Sequence, residues 1–317
     1  MKKKKILLTG GSGFIGQNIL KIFLNKNYQV TVIDNNFRNI ERKFKNFNNI
    51  RFIKEDIRNK KKISKFFREI DTVIHLAYIN GTEYFYKYPV DVLDVGVKGL
   101  MNTLDLCIEN NIKELFLASS SEVYHQPDTI PTKEDDVELK IPDIKNPRYS
   151  YACGKILTEV AGIHYGAKFF KRLIIFRPHN VYGPNMGKEH VIPQIIQKIK
   201  KVKRNKIIKI EGSGKEKRSF IFIDDFVDSF KKIFHKGKHL NVYNVGTDEV
   251  VSISNLVKKI SKLMNKKIFI KKGKLKKGGT LIRCPDIKKI KKIGFKKKFS
   301  LSSGLEKTIK WYNNSNV

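Results

Sequence analysis

Apolar and polar positions follow two alternating rhythms through the first half of this chain. The short apolar run Ile6-Leu7-Leu8 leads into Thr9-Gly10-Gly11-Ser12-Gly13-Phe14-Ile15-Gly16. From Phe14 to Asn25, the residues Ile15, Ile19, Ile22 and Phe23 then recur at helical spacing. The pattern predicts a buried strand, a tight turn and an amphipathic helix. Gln29-Val30-Thr31-Val32-Ile33 predicts a second strand ending in Asp34, and Ile50-Arg51-Phe52-Ile53 a third, with a helix from Lys60 to Phe67 after it. Thr72 to Ala77 is almost continuously apolar, as a parallel strand covered on both faces should be. A long helix is predicted from Val92 to Asn110, a fifth strand from Leu115 to Ser119 and a sixth from Arg172 to Arg177. Strands alternating with helices in this way predict an α/β fold with a doubly wound parallel sheet.

The rhythm changes near Asn180, where Pro178, Gly183, Pro184, Gly187 and Pro193 interrupt it. A helix from Pro193 to Lys201, a hairpin around Glu211-Gly212-Ser213-Gly214, a strand from Ser219 to Ile223 and a helix from Asp224 to Phe234 are expected next. Then come a strand from Asn241 to Val245, a helix from Ile253 to Met264, a strand from Lys267 to Ile270 and a last helix from Leu301 to Tyr312. These boundaries suggest a sheet domain over residues 1–178 and a smaller α/β substrate domain over 179–317, with 219–245 returning to the first.

Composition narrows the class. At 317 residues, 40% of them apolar, the chain can bury a large core, and no apolar run approaches the ~18 residues needed to cross a bilayer. Only three apolar residues follow the basic Met1–Lys5 segment before the glycine turn, too few for a secretory signal, so a cytoplasmic location without membrane insertion is expected. Cys107, Cys153 and Cys284 are far apart and form no CxxC, which argues against a disulfide framework and against a metal site. The net charge of +35 would ordinarily raise nucleic-acid binding. The lysines, however, run along the whole chain, as solvated faces do, so no specific nucleic-acid partner is expected, though such a charge would attract a nucleotide diphosphate.

The glycine turn carries the first chemistry. Glycines 10, 13 and 16 sit where strand meets helix, and there backbone N–H groups can approach a pyrophosphate at the helix N-terminus. Asp34, 18 residues past Gly16, can accept both hydroxyls of an adenosine ribose, which favours NAD over NADP. Asp56 either accepts from the adenine amino group or caps the helix that begins at Lys60. Tyr151 and Lys155 share a helix face at i and i+4. A lysine charge and a positive nicotinamide ring favour the phenolate, which makes Tyr151 a base for a sugar or alcohol hydroxyl, with Lys155 also able to hold the nicotinamide ribose. Ser119-Ser120-Ser121 ends the fifth strand, at the edge where open α/β sheets bind ligands; its hydroxyls can steady the reacting oxygen or simply form a turn or cap.

Together the glycine turn, Asp34, the serines before Val123-Tyr124, Tyr151 with Lys155, and Arg177-Pro178-His179-Asn180-Val181-Tyr182-Gly183-Pro184 resemble the extended short-chain dehydrogenase/reductases, specifically the NAD-dependent nucleotide-sugar epimerase/dehydratase family. The resemblance implies a Rossmann-like fold, bound NAD, a nucleotide-diphospho-sugar substrate and a homodimer. It implies a cofactor site of Gly10, Gly13, Phe14, Ile15, Gly16, Asp34, Asp56, Ile57, Leu76, Ala77, Tyr151, Lys155 and Pro178. It assigns catalysis to Ser120, Tyr151 and Lys155, a sugar contact to Ser120 and Asn180, a nucleotide contact to Arg218 and the diphosphate to Arg283. Two positions depart from the family pattern: Gly96 stands where asparagine is frequent, and His125 where a glycine usually follows Val-Tyr.

The resemblance further implies a common first step, oxidation at the sugar C4 to a 4-keto sugar. A 4-epimerase then returns hydride to the other face; a 4,6-dehydratase removes the C5 proton and expels water from C6; a uronate decarboxylase releases carbon dioxide. Glu122, two residues past Ser120, is placed to be a C5 base or is a bystander carboxylate. Because Ser121 replaces the aspartate of the Asp-Glu pair in glucose-type dehydratases, a 4-epimerase is the expected activity, with dehydratase or decarboxylase as the alternative. A non-catalytic dinucleotide sensor is the remaining class, and such proteins usually lack the Tyr/Lys pair.

Overall fold

The computed structural model describes residues 3–37, 47–135, 137–202 and 206–315. Six strands are met in order: β1 (Lys4–Thr9), β2 (Tyr28–Ile33), β3 (Ile50–Ile53), β4 (Thr72–His75), β5 (Glu114–Ala118) and β6 (Arg172–Pro178). Asn241–Val245 pairs in parallel with β6 and completes a seven-stranded, wholly parallel sheet in the order 241–245, β6, β5, β4, β1, β2, β3. The order reverses between β1 and β4, so the crevice beyond their carboxyl ends is the natural ligand site of such a sheet.

Side-chain alternation along each strand feeds two cores. Ile6 and Leu8 of β1 join one cluster while Leu7 joins the other; Phe116 of β5 faces away from Leu115 and Leu117 in the same way. One face is covered by α1 (Phe14–Leu20) and the helix Ile223–Lys236, through Ile19, Phe226, Phe230 and Phe234. The helices α2 (Lys60–Ile63), α3 (Thr82–Lys87), α4 (Pro89–Glu109) and α5 (Tyr149–Phe169) follow in the chain. The second face packs under α4 and α5, through Val92, Val95, Leu100 and Leu104 of the first and Tyr151 and Ala161 of the second.

The remaining chain forms smaller layers over the carboxyl edge of the sheet. Ile207–Lys209 pairs in parallel with Phe269–Lys271. Lys217–Ser219 lies between Val250–Ser252 and Ile282–Arg283. The hairpin expected around 211–214 does not form, because its two flanking strands belong to different sheets. Instead the Glu216 carboxylate accepts the backbone N–H groups of Ser213 and Gly214, at 2.9 and 2.8 Å, and folds the intervening segment as a loop. The strand expected over 219–223 is likewise two short pieces, Lys217–Ser219 and Ile221–Phe222, which pair with different neighbours. No helix among the described residues is long and apolar enough to cross a membrane.

Candidate active site

A cleft of about 630 Å³ runs along the carboxyl edge of the sheet, and every site residue singled out from the sequence lines it. At one end is the glycine turn. Gly10 has φ +72°, a left-handed conformation that glycine adopts without a Cβ penalty, and a Cβ there would lie 2.6 Å from the Ala77 nitrogen. A Cβ on Gly16 would lie 2.4 Å from the Gly10 carbonyl oxygen, so the turn can close on α1 only with glycine. Gly13 is the N-cap residue of α1 and makes no side-chain cap, so the helix start faces the cleft with backbone alone. This is a cradle for an anion at a helix N-terminus.

Asp34, at the end of β2, is held in place by the turn it serves. Its carboxylate accepts the Ser12 N–H at 2.9 Å and the Asn36 N–H at 2.7 Å. Asp56 is gripped by the Arg58 guanidinium at 3.0 and 2.8 Å and receives the Asn35 amide at 3.1 Å; these bonds outweigh burial and hold its carboxyl below the usual range. The α2 cap falls to Asn59, whose side chain accepts from Lys62, so Asp56 is left as a cleft wall and not a cap. Phe14, Ile15, Ile57, Leu76, Ala77 and Pro178 line the same end.

The central stretch is built by β5 and α5. Ser119 donates to Glu159, which also pairs with Arg177 at 2.6 Å, and this buried cluster fixes the serine turn. Ser120 is at once a cap and a cleft residue: its Oγ accepts the Glu122 N–H at 3.2 Å, and its hydroxyl acts on the Tyr151 phenol to favour the phenolate. Tyr151 is buried, stacked on Phe85 with ring centroids 4.6 Å apart, and burial raises its pKa against the smaller downward pull of Ser120. Lys155 donates to the Ala118 carbonyl at 2.7 Å, and burial draws its ammonium down to about 7 against a smaller upward pull from Glu159. A phenol, a hydroxyl and a readily titrated amine thus meet in one wall, as proton transfer to and from an alcohol requires.

The sequence model of the NAD dependent epimerase/dehydratase family matches residues 6–246. The chain belongs to this family. It is an enzyme whose cofactor is NAD, and the glycine cradle and Asp34 fit that cofactor. A dTDP-D-glucose 4,6-dehydratase from Dictyostelium discoideum is 33% identical over 273 residues, 81% of this chain and 61% of that protein. A UDP-N-acetyl-alpha-D-glucosaminuronate decarboxylase from Bacillus cytotoxicus is 28% identical over 98% of both chains. Among solved structures, a UDP-N-acetylglucosamine 4-epimerase from Methanobrevibacter ruminantium, in complex with UDP-N-acetylmuramic acid, superposes with a TM-score of 0.86 at 27% identity over 99% of each chain. The chain spans from 47 to 61% of the length of several of its curated relatives and nearly all of others.

The far end of the cleft is cationic. Arg283 donates to Glu122 at 2.6 Å and to the Thr280 hydroxyl at 2.9 Å, while its Nε, buried, has no partner among the described residues. Arg148 approaches the other Glu122 oxygen at 3.5 Å. Burial would raise the Glu122 carboxyl, but the charges of Arg283 and Arg148 win and hold it at about 2. Arg218 donates to the carbonyls of Lys217, Thr280 and Leu281, and burial beside Arg283 lowers it to about 10. Asn180, with φ +39°, donates to the Ser219 carbonyl at 2.8 Å and tethers the return of the chain into this wall. Sequence reasoning passed over Arg148, although its place three residues before Tyr151, on the same helical face, was a usable signal. It also passed over Tyr78, which only its position after Ala77 could have marked.

Proposed function

We propose that this enzyme is a nucleotide-diphospho-sugar 4-epimerase. The observation that carries the reading is the state of Glu122. A C5 base must be free and have a pKa near the working pH. Glu122 has neither property, being held between Arg283 and Arg148 at about 2. The Tyr151–Ser120–Lys155 group needs no such base to exchange the configuration at C4.

NAD, when bound, supplies a hydride acceptor and donor at the sugar C4 and a positive ring that favours the phenolate. Gly10, Gly13, Gly16 and Asp34 hold it. Tyr151 takes the proton of the C4 hydroxyl and returns it after the keto sugar has turned. Ser120 holds the same oxygen through its hydroxyl. Arg283 and Arg218 bind the diphosphate and nucleotide, which fixes the anchor about which the sugar swings. Asn180 contacts the sugar. The same reading takes the enzyme as a cytoplasmic homodimer, supported by the exposed Val90 and Leu93 of α4 and Val160 of α5.

A second reading, uronate decarboxylase, is favoured by the Arg148–Arg283 pair: two guanidiniums facing the sugar end suit a C6 carboxylate, and loss of carbon dioxide from a β-keto acid needs no C5 base. Mass spectrometry of purified enzyme incubated with UDP-, GDP-, CDP- and dTDP-sugars, uronates included, tests both. A product of unchanged mass and altered retention supports the epimerase, loss of carbon dioxide the decarboxylase, and loss of water overturns both.

A further inference from the structure

Tyr78 follows the β4 strand and has no role in the chemistry above. Its ring nonetheless touches both working residues of α5. The Lys155 ammonium lies 4.0 Å from the centre of the Tyr78 ring, and the Tyr151 ring meets it edge-on at 5.0 Å. The Tyr78 hydroxyl is buried and has no hydrogen-bond partner among the described residues. A buried hydroxyl without a partner is costly, so this tyrosine is not held here by its oxygen. It is held by a notch. A Cβ on Gly96 of α4 would lie 2.0 Å from the Tyr78 oxygen and 2.3 Å from Cζ, and a Cβ on Gly154 of α5 would lie 2.0 Å from the same oxygen. Only two glycines facing each other across the α4–α5 seam admit the ring. Gly96, a departure from the family pattern, thus acquires a purpose.

We propose that Tyr78 is a positioning residue for Lys155: seated in the Gly96–Gly154 notch, its ring face holds the lysine ammonium, in its charged form, beside Tyr151. An aromatic face attracts a cation, most strongly where water is scarce. The other groups around Lys155 are Tyr151 and Glu159 on α5, the Ala118 carbonyl of β5 and His75 at the end of β4, and His75 is kept neutral by burial, at about 3. Glu159 already pairs with Arg177 at 2.6 Å, which leaves the Ala118 carbonyl and the Tyr78 ring face as the close contacts of the ammonium. The proposal rests on Lys155 as the working partner of Tyr151, and the test separates the two.

The direct measurement is the pH dependence of isotope-coded acylation of Lys155 in NAD-free protein, read by mass spectrometry. It requires no turnover. The ring favours the cation, so its loss lowers the Lys155 pKa. Tyr78→Leu is expected to move the labelling midpoint down by about one pH unit, and Tyr78→Phe, which keeps the face and removes the unpartnered hydroxyl, to leave it unchanged. The alkaline limb of the kcat profile should move with it. Gly96→Ala, which expels the ring without altering it, should reproduce the Tyr78→Leu shift, and adding Tyr78→Ala to Gly96→Ala should restore the thermal stability that Gly96→Ala loses. An unshifted midpoint in Tyr78→Leu overturns the proposal, as does a Tyr78→Phe shift equal to it. If Tyr78→Leu does not fold, Gly96→Ala decides by the same criteria. A shifted labelling midpoint with an unmoved kcat profile keeps the contact and overturns only its place in the chemistry.

Discussion

The two ends of the cleft are made by different physical means. The end proposed for the cofactor is backbone: a glycine turn, a bare helix N-terminus and one aspartate tied to the turn by the Ser12 N–H and to its own loop by the Asn36 N–H. Its turn, helix start and aspartate come from a single βαβ stretch, and its shape is set by what cannot be added, a Cβ at Gly10 or Gly16. The end proposed for the sugar is side chain: Arg148, Arg218 and Arg283 converge from three remote segments, and the central ion pair joins residues 161 positions apart. A backbone site is rigid and answers mainly to sterics, whereas a site of opposed charges answers to salt, pH and ligand charge. The wall proposed for catalysis lies between, so substitutions can be ranked by which end they reach.

The largest effect is expected at the seam. Tyr151→Phe keeps the stack on Phe85 and removes the proton carrier, so kcat should fall by about 10²–10⁴-fold while NAD affinity, set at the other end, stays unchanged. Near-normal turnover in steady-state assays would remove Tyr151 from the reaction. Next is the charged end. Arg283→Met removes a charge-assisted bond of about 1.5–3 kcal/mol and should raise KM for the nucleotide sugar ~10–150-fold, with an altered salt dependence and NAD binding untouched. Equal loss of NAD binding would show that the two ends are not separable.

The same contrast explains what the sequence disclosed. Strand, turn, helix and Asp34 are local, and their hydrophobic period and glycine spacing survive in any single stretch of chain. The parallel sheet was therefore legible strand by strand, whereas the pairing of Asn241–Val245 with β6 joins distant segments and no local pattern places it. The sugar end was legible only where a motif marked it. Nothing local tells Glu122 that Arg283 will close on it, and so no single stretch of sequence discloses the 2.6 Å contact that bears on the proposed choice between a C5 base and a bystander. The missed loop at 211–214 has the same cause: Glu216 overrides a glycine signal that, by turn chemistry alone, reads as a hairpin.

A smaller effect is expected at the cofactor end. Asp34→Ala removes the proposed ribose acceptor and two backbone bonds, one of them to the glycine turn, so the NAD dissociation constant should rise roughly tenfold, by the worth of one to two hydrogen bonds, and discrimination against NADP should relax. Cofactor titration by fluorescence checks both, and unchanged affinity for the two dinucleotides would take Asp34 out of the site.

The smallest effect on turnover is expected for Glu122→Gln, which separates base from bystander. If Glu122 only holds the arginines, kcat should stay within about tenfold, whereas removal of a true general base would cost about 10²–10⁴-fold. The pH dependence of stability gives an independent sign. The Glu122 carboxyl is depressed from 4.5 to about 2 in the folded enzyme. A depressed carboxylate contributes stability that is fully present above its unfolded pKa and is lost as pH falls through the folded one. The wild-type enzyme should therefore lose stability, on the order of 3 kcal/mol at most, as the pH falls from about 4.5 to about 2. Glu122→Gln has no charge to lose there, so its denaturation midpoint should fall less steeply over that window. Parallel acid limbs in the two proteins would mean that the arginines do not grip Glu122 in solution. That result would return it to the role of a free base and reopen the dehydratase.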